Sequence, residues 1–261
     1  MHFNCHFKNI NLYWGKINMR TVKNTSGLLF ALLTLIQPEA HADLTISPVQ
    51  LYISGDRQQR STTATLNTKG EKTDRTYEIS VFRWTQDEQG NDILTPDADL
   101  VVNPKALILL PDSNKVIRFG FRQSIAAMNL KQEETWRVKF SEIPSPLQKT
   151  GMSIALNFSV PVFVGNGFQP DMSFHFVKDE KNNTVLMAKN NGKAHFQITK
   201  FSIQDASGKV LKDIDTMKYI LPDRQVSIPM DGFNTTSTKG LKFVMASNAS
   251  KTSVVYDITE N

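Results

Sequence analysis

One stretch of this sequence constrains the fold more than any other: GMSIALNFSVPVFVGNG, from Gly151 to Gly167. Every even position from 152 to 164 is apolar: Met152, Ile154, Leu156, Phe158, Val160, Val162 and Val164. The odd positions run Ser153, Ala155, Asn157, Ser159, Pro161 and Phe163. Period-two alternation is the mark of a strand with one buried face. At about 3.3 Å per residue such a strand would reach about 40 Å, whereas an ordinary strand has about 5–6 residues. The stripe therefore raises the question of whether its own protein covers all of it.

The surrounding sequence also reads as strands and turns. LTISPVQLYIS (44–54) is extended, with an interruption at Pro48. STTATLNT (61–68), RTYEISVFRW (75–84), KALILL (105–110), KVIRFGF (115–121) and TWRVKFSEI (135–143) are rich in β-branched and aromatic residues. TQDEQGND (85–92) reads as a turn with Gly90 available for positive φ. After GNG (165–167) come MSFHFVKD, TVLMAKNN, HFQITKFSIQD, KYILPD, QVSIPM, GLKFVMAS and SVVYDIT, separated by Asn-Asn-Gly, Ser-Gly and Pro-Asp signals. Only RQSIAAMNLKQ (122–132) offers a helix of more than two turns. Short strands with turns every 8–12 residues point to an all-β chain of two sandwiches.

The first 42 residues read as a leader outside that fold. Arg20 and Lys23 after Met19, the apolar run GLLFALLTLI (27–36) and the small-x-small triplet AHA form an export signal with cleavage between Ala42 and Asp43. Met1 and Met19 both remain open as the start. Ten apolar residues are too few to span a bilayer, which needs about 20. The leader carries Lys8, Lys16, Arg20 and Lys23 against Glu39, so the net charge of +5 falls to +2 from Asp43 onward. A nucleic-acid partner loses its electrostatic support. The single cysteine, Cys5, lies in the leader, so the exported chain would have no disulfide.

Catalytic signals are weak. His175 and His195 are 20 residues apart on separate expected strands, which suits surface or edge histidines better than a metal site. No nucleophile elbow, phosphate-cradling glycine loop or His-Glu-x-x-His is present. DEQGND (87–92) lacks the spaced ligands of a calcium loop and reads as a hairpin turn. Arg118, Arg122, Arg137 and Lys139 alternate with Phe119, Phe121, Trp136, Val138 and Phe140, as on a sheet with one wet and one core face. No enzyme, cofactor or metal is expected.

Taken together, LTISPVQLYISG, VFRW, LPDSNKVIRF, FSEIPSP, MSIALNFSVPVFV and YILPDRQ resemble the periplasmic chaperones of chaperone–usher pili. VFRW and SVPVFV look most like the archaic, Csu-type branch. The resemblance covers nearly the whole chain after the leader. It implies two immunoglobulin-like sandwiches in a boomerang arrangement, residues 43–165 and 166–261. It implies a periplasmic, non-enzymatic protein that caps pilin subunits by donor-strand complementation and delivers them to an outer-membrane usher. Self-association of the free chain stays open. A pilus structural or adhesive surface protein is the alternative, although its donor segment would sit at the mature N-terminus rather than mid-chain.

On this reading Met152, Ile154, Leu156 and Phe158 enter the pilin, while Val160, Val162 and Val164 stay in the chain's own sandwich. In the P-pilus type an Arg on the first strand and a Lys on the lent strand anchor the subunit's C-terminal carboxylate. Those positions hold Gln50 and Pro161 here, neither charged. Arg83, Arg118 and Gln50 are the substitute candidates, with Arg83 favoured and an internal ion pair as its rival explanation.

Overall fold

The structure, a computed structural model, describes residues 43–55, 58–144, 155–235, 237–246 and 253–259. The leader with Ala42, and the stripe residues Met152 and Ile154, lie outside the described residues, and Asp43 opens the first strand.

Ten strands build the first sandwich: β1 (Asp43–Ser47), β2 (Leu51–Ser54), β3 (Ser61–Lys69), β4 (Arg75–Gln86), β5 (Asp92–Pro96), β6 (Val101–Asn103), β7 (Ala106–Leu109), β8 (Asn114–Gly120), β9 (Glu134–Ile143) and β10 (Phe158–Gly165). One sheet runs β1-β3-β8-β6 and the other β2-β10-β9-β4-β5, with β7 also on β4. Pro48 breaks the first extended segment, and the chain there passes from one sheet to the other. Alternating residues fill the space between the sheets: Trp136, Val138 and Phe140 from β9, Ile117 and Phe119 from β8, Leu51 and Ile53 from β2. The expected helix at 122–132 is a single 3-10 turn, Ile125–Met128, because only Ile125 of those four is buried.

The second sandwich holds β11 (Met172–Lys178), β12 (Thr184–Asn190), β13 (Phe196–Ile198), β14 (Phe201–Gln204), β15 (Val210–Ile214), β16 (Lys218–Ile220), β17 (Arg224–Pro229), β18 (Lys242–Ala246) and β19 (Ser253–Thr259). Seven of them pair in the order β15-β14-β18-β19-β11-β12-β17, and β13 pairs β16. Phe174, Phe243 and Phe201 stack through its centre with ring centroids 4.1 and 4.6 Å apart. HFQITKFSIQD is two strands rather than one. Its buried positions are even at Phe196 and Ile198 but odd at Phe201 and Ile203, so one straight strand could not bury both pairs.

Three hairpins share one kind of tip. Asp87, Asp179 and Asp205 each accept, through Oδ1, the N–H groups two and four residues on, at 2.7–3.0 Å. The residue three on has positive φ: Gly90, Asn182 and Gly208. The 87–92 carboxylate thus serves its own turn. Hydrogen bonds from Asn91, Asn183 and Ser207 side chains, and from the backbone, hold the three carboxyls below the ordinary value of 3.8. Tightening from this source is complete above pH 3.8 and is lost as pH falls through the depressed pKa. The amide protons of Asn91, Asn183 and Lys209 should therefore titrate together with midpoints below 3.8. A midpoint at or above it would mean that these bonds do not hold in solution.

Candidate functional site: the partly uncovered edge of β10

β10 is held differently at its two ends. Even positions Val160, Val162 and Val164 are buried in the first core, where the alternation places them. Odd positions face the other way, where Phe163 meets the second sandwich. Phe163 is nonetheless buried, in a cluster with Trp84 and Leu221 against which Tyr219 packs. The His195 ring stacks on Phe163 at 3.5 Å and 7°. Glu133 Oε1 accepts the His195 backbone N–H at 2.9 Å and lies 2.6 Å from its Nδ1. His195 is therefore a contact between sandwiches, not the surface or edge residue that strand spacing suggested. Gln86 completes the joint: its Nε2 donates to the Tyr219 carbonyl at 2.9 Å, and its Oε1 accepts the Leu221 N–H at 3.0 Å.

The other end is less covered. β9 pairs β10 from Phe158↔Phe140 to Val164↔Glu134. On the opposite edge β2 pairs it, in parallel, only from Val162↔Leu51 to Gly165↔Ser54. Among the described residues no strand pairs that edge from Phe158 to Pro161. Ala155, Leu156 and Asn157 are exposed, and Leu156 shows 41% of its surface. Phe158, grouped with Leu156 in the expectation, rests half-buried on the chain's own core. Its ring stacks on Phe140 at 4.7 Å and meets Tyr77 edge-on at 5.9 Å.

The basic candidates separate by strand parity. Arg83 lies opposite Trp136, on the core side of β4, whereas its neighbour Trp84 faces the second sandwich. Its guanidinium pairs with Glu134 and sits 4.2 Å over the Trp136 ring, and burial pulls its pKa below the ordinary value. Arg118 is on β8, in the sheet that lacks β10, and donates to Ser61 Oγ at 2.9 Å. Gln50 does stand between the sandwiches, but its Nε2 already donates to Tyr219 Oη at 2.7 Å and Gln197 Oε1 at 2.9 Å. The fold does not bring the three together. For Arg83 it supplies the internal ion pair that was the rival explanation.

The largely buried cation on the open face is Arg137. It lies on β9 opposite Pro161 of β10 and Phe82 of β4. Its guanidinium is 3.8 Å from the Trp84 ring centre and 5.3 Å from that of Tyr219. Only 16% of the side chain is exposed, and burial lowers its pKa. Asp92 Oδ2 is 3.9 Å away, beyond hydrogen-bonding distance, and no described residue accepts from this guanidinium. Exposed Lys139 follows on the same face. The signal was in the sequence: Arg137 alternates with Trp136 and Val138, so it had to face away from the core. Among the described residues no group of three His, Cys, Asp or Glu could hold a metal, and no helix is long and apolar enough to cross a membrane.

The described residues thus form two strand sandwiches joined through buried contacts, the first ending in a strand with a half-uncovered edge. Residues 44–166 match the family described as pili and flagellar-assembly chaperone, PapD N-terminal domain, so the first sandwich belongs to that chaperone-domain family. It is a family of chaperones, not of enzymes. Among solved structures, the chain is similar to the CsuC–CsuE chaperone–tip adhesion subunit pre-assembly complex from archaic chaperone–usher Csu pili of Acinetobacter baumannii. That likeness is at 20% identity and a TM-score of 0.62, covering 84% of this chain and 100% of that one. It also resembles the YadV chaperone, at 16% identity and a TM-score of 0.55, covering 79% of this chain and 94% of that one. The SafA pilin–SafB chaperone complex of Salmonella enterica matches at 11% identity and a TM-score of 0.55, over 83% of this chain and 96% of the other. These likenesses establish the fold. No curated protein matches the chain by sequence.

Proposed function

We propose that this chain is a periplasmic chaperone, of the archaic Csu-type branch, that lends the segment leading into β10 to an incomplete pilin subunit and passes the subunit to an outer-membrane usher. The observation that carries the reading is the uncovered edge of β10 upstream of β2, with Leu156 exposed beside it. Adding a strand to an unpaired edge supplies main-chain hydrogen bonds with little sequence demand, and alternate side chains set the register. Each large apolar side chain that enters a pilin groove contributes on the order of 1.5–3 kcal/mol. Met152, Ile154 and Leu156 are the entering residues. Phe158 bridges the pilin and the chain's own core. Export through the leader, with Asp43 as the first mature residue, puts the protein where pilins fold.

For the subunit's terminal carboxylate the geometry favours Arg137 over Arg83, Arg118 and Gln50. A desolvated guanidinium held on aromatic rings, with no hydrogen-bond acceptor among the described residues, is ready for a bidentate carboxylate.

The test is recovery of pilins with tagged protein from periplasm, identified by mass. Leu156→Asp should fold normally and recover no pilin, because a carboxylate forced into an apolar groove carries a heavy desolvation cost. Arg137→Gln should fold and lose at least tenfold in recovery, while Arg118→Gln behaves as wild type. Normal recovery by Leu156→Asp would sink the lent-strand reading. Equal recovery by Arg137→Gln and Arg118→Gln would move the anchor elsewhere.

A further inference from the structure

β9 outruns its ladder with β10. It stays paired with β4 as far as Ile143↔Thr76, but its pairing with β10 stops at Phe140↔Phe158. The same antiparallel register, continued, would set Leu156 opposite Glu142. These two residues do meet, through a side chain instead of the backbone. Glu142 Oε2 accepts the Leu156 N–H at 2.7 Å, and Asn157 Oδ1 accepts the Glu142 N–H at 3.1 Å. Two side chains thus occupy the main-chain donors that a longer strand would use.

The accepting carboxylate is firmly placed. Arg75 Nη1 donates to both Glu142 oxygens, at 3.1 and 3.0 Å, and Arg75 Nε lies 3.1 Å from Glu71 Oε1. Glu142 and Glu71 side chains are only 13% and 7% exposed. A row of acid, base and acid therefore ends at the Leu156 amide. Such a charge-assisted bond is stronger than a neutral one.

We propose that Glu142 is a positioning residue for the lent strand, resting on the function proposed above. By gripping the Leu156 N–H it keeps residues 155–157 in register with β9 but outside the ladder. This holds Leu156 on the open side before any subunit arrives. When a pilin engages, the two side-chain bonds exchange for main-chain pairing and the strand lengthens toward Leu156 without searching for register. An ordered donor segment loses less conformational freedom on binding than a free one.

The test combines amide exchange on the free protein with the rate at which it captures the pilin that wild-type protein recovers from periplasm. In Glu142→Ala the Leu156 amide should exchange about tenfold faster, with Val160 unchanged as a control for folding. Because the grip acts before binding and is given up on engagement, the variant should capture that pilin about tenfold more slowly. Exposed Asn157→Ala should shift the same two readouts in the same direction, and Glu142→Gln, which keeps an acceptor oxygen, should fall between. Unchanged Leu156 exchange in Glu142→Ala overturns the inference, as does faster exchange with an undiminished rate of capture. Leu156→Asp separates the two levels. If it keeps the pilin, the lent-strand reading fails and this inference with it. If it loses the pilin while Glu142→Ala captures it at the wild-type rate, this inference alone fails.

Discussion

Asn190→Ala should cost on the order of 4 kcal/mol and lower the protein's melting temperature by roughly 8–16 °C. Asn190 is fully buried at the end of β12. Its Oδ1 accepts the Asp171 and Gly192 N–H groups at 3.1 and 3.0 Å. Its Nδ2 donates to the Ala194 and Ile220 carbonyls at 2.7 and 3.1 Å. Alanine would take a partner from four backbone groups around a fully buried side chain, and each one left an orphan costs about 1–3 kcal/mol before relaxation. The local backbone has little room to relax, since a Cβ on Gly192 would already lie 2.3 Å from the Asp171 nitrogen. Asn190→Asp is the sharper control. It keeps size and both acceptor contacts but cannot donate to the two carbonyls. Calorimetry on both variants decides the matter, and a loss below about 1 kcal/mol for alanine, the bottom of that range, would show that water replaces the amide.

Gly90→Val should do more than strain a turn. Gly90 has φ +81, and a Cβ there would lie 2.4 Å from the Gln225 carbonyl oxygen and 2.7 Å from Val226 Cγ1. The tip of the β4–β5 hairpin is pressed against β17 of the second sandwich. Gly208 supplies the comparison. It occupies the same place in the β14–β15 tip, at φ +84, and a Cβ there would meet nothing within 4 Å. Gly208→Val should cost only the left-handed backbone penalty, about 1–2 kcal/mol. Gly90→Val should add about 1–3 kcal/mol of overpacking and push the hairpin off its neighbour. The expected result is one thermal transition for Gly208→Val and two for Gly90→Val, as the sandwiches cease to melt together. Equal costs for the two variants would mean that the contact contributes nothing.

Those two glycines show what a sequence holds and what it withholds. The need for positive φ at Gly90 was legible, because a turn is local chemistry. The carbonyl that crowds its missing side chain was not, because it comes from Gln225. The alternation of β9 and β10 likewise put Val138, Val160 and Val162 in the core, since burial and spacing are coupled in a strand. β5 escaped notice because all five of its residues are exposed, so no pattern of burial marks it. His195 and Asn190 looked like a strand residue and a turn residue. Their roles depend on partners far along the chain, at Glu133 and Ile220. Arg83, on a partly buried strand, is a charge in need of a partner, and it has one, Glu134. Arg137 needed only the parity argument that had already located the core.

β2 has a consequence that reaches past packing. Its four residues close the outer edge of β10 from Val162 to Gly165 and stop there. On the proposed reading, the boundary between what the protein keeps and what it can give away is set by the length of an unrelated segment at the other end of the domain. A longer β2 would make a more self-sufficient sandwich and a poorer helper. A shorter one would offer a longer strand at the expense of its own closure. Pro161, which has no N–H to offer any neighbour, stands just outside that border. The generosity of such a molecule is thus metered by the reach of β2, and selection could tune it without touching a single residue that meets the guest.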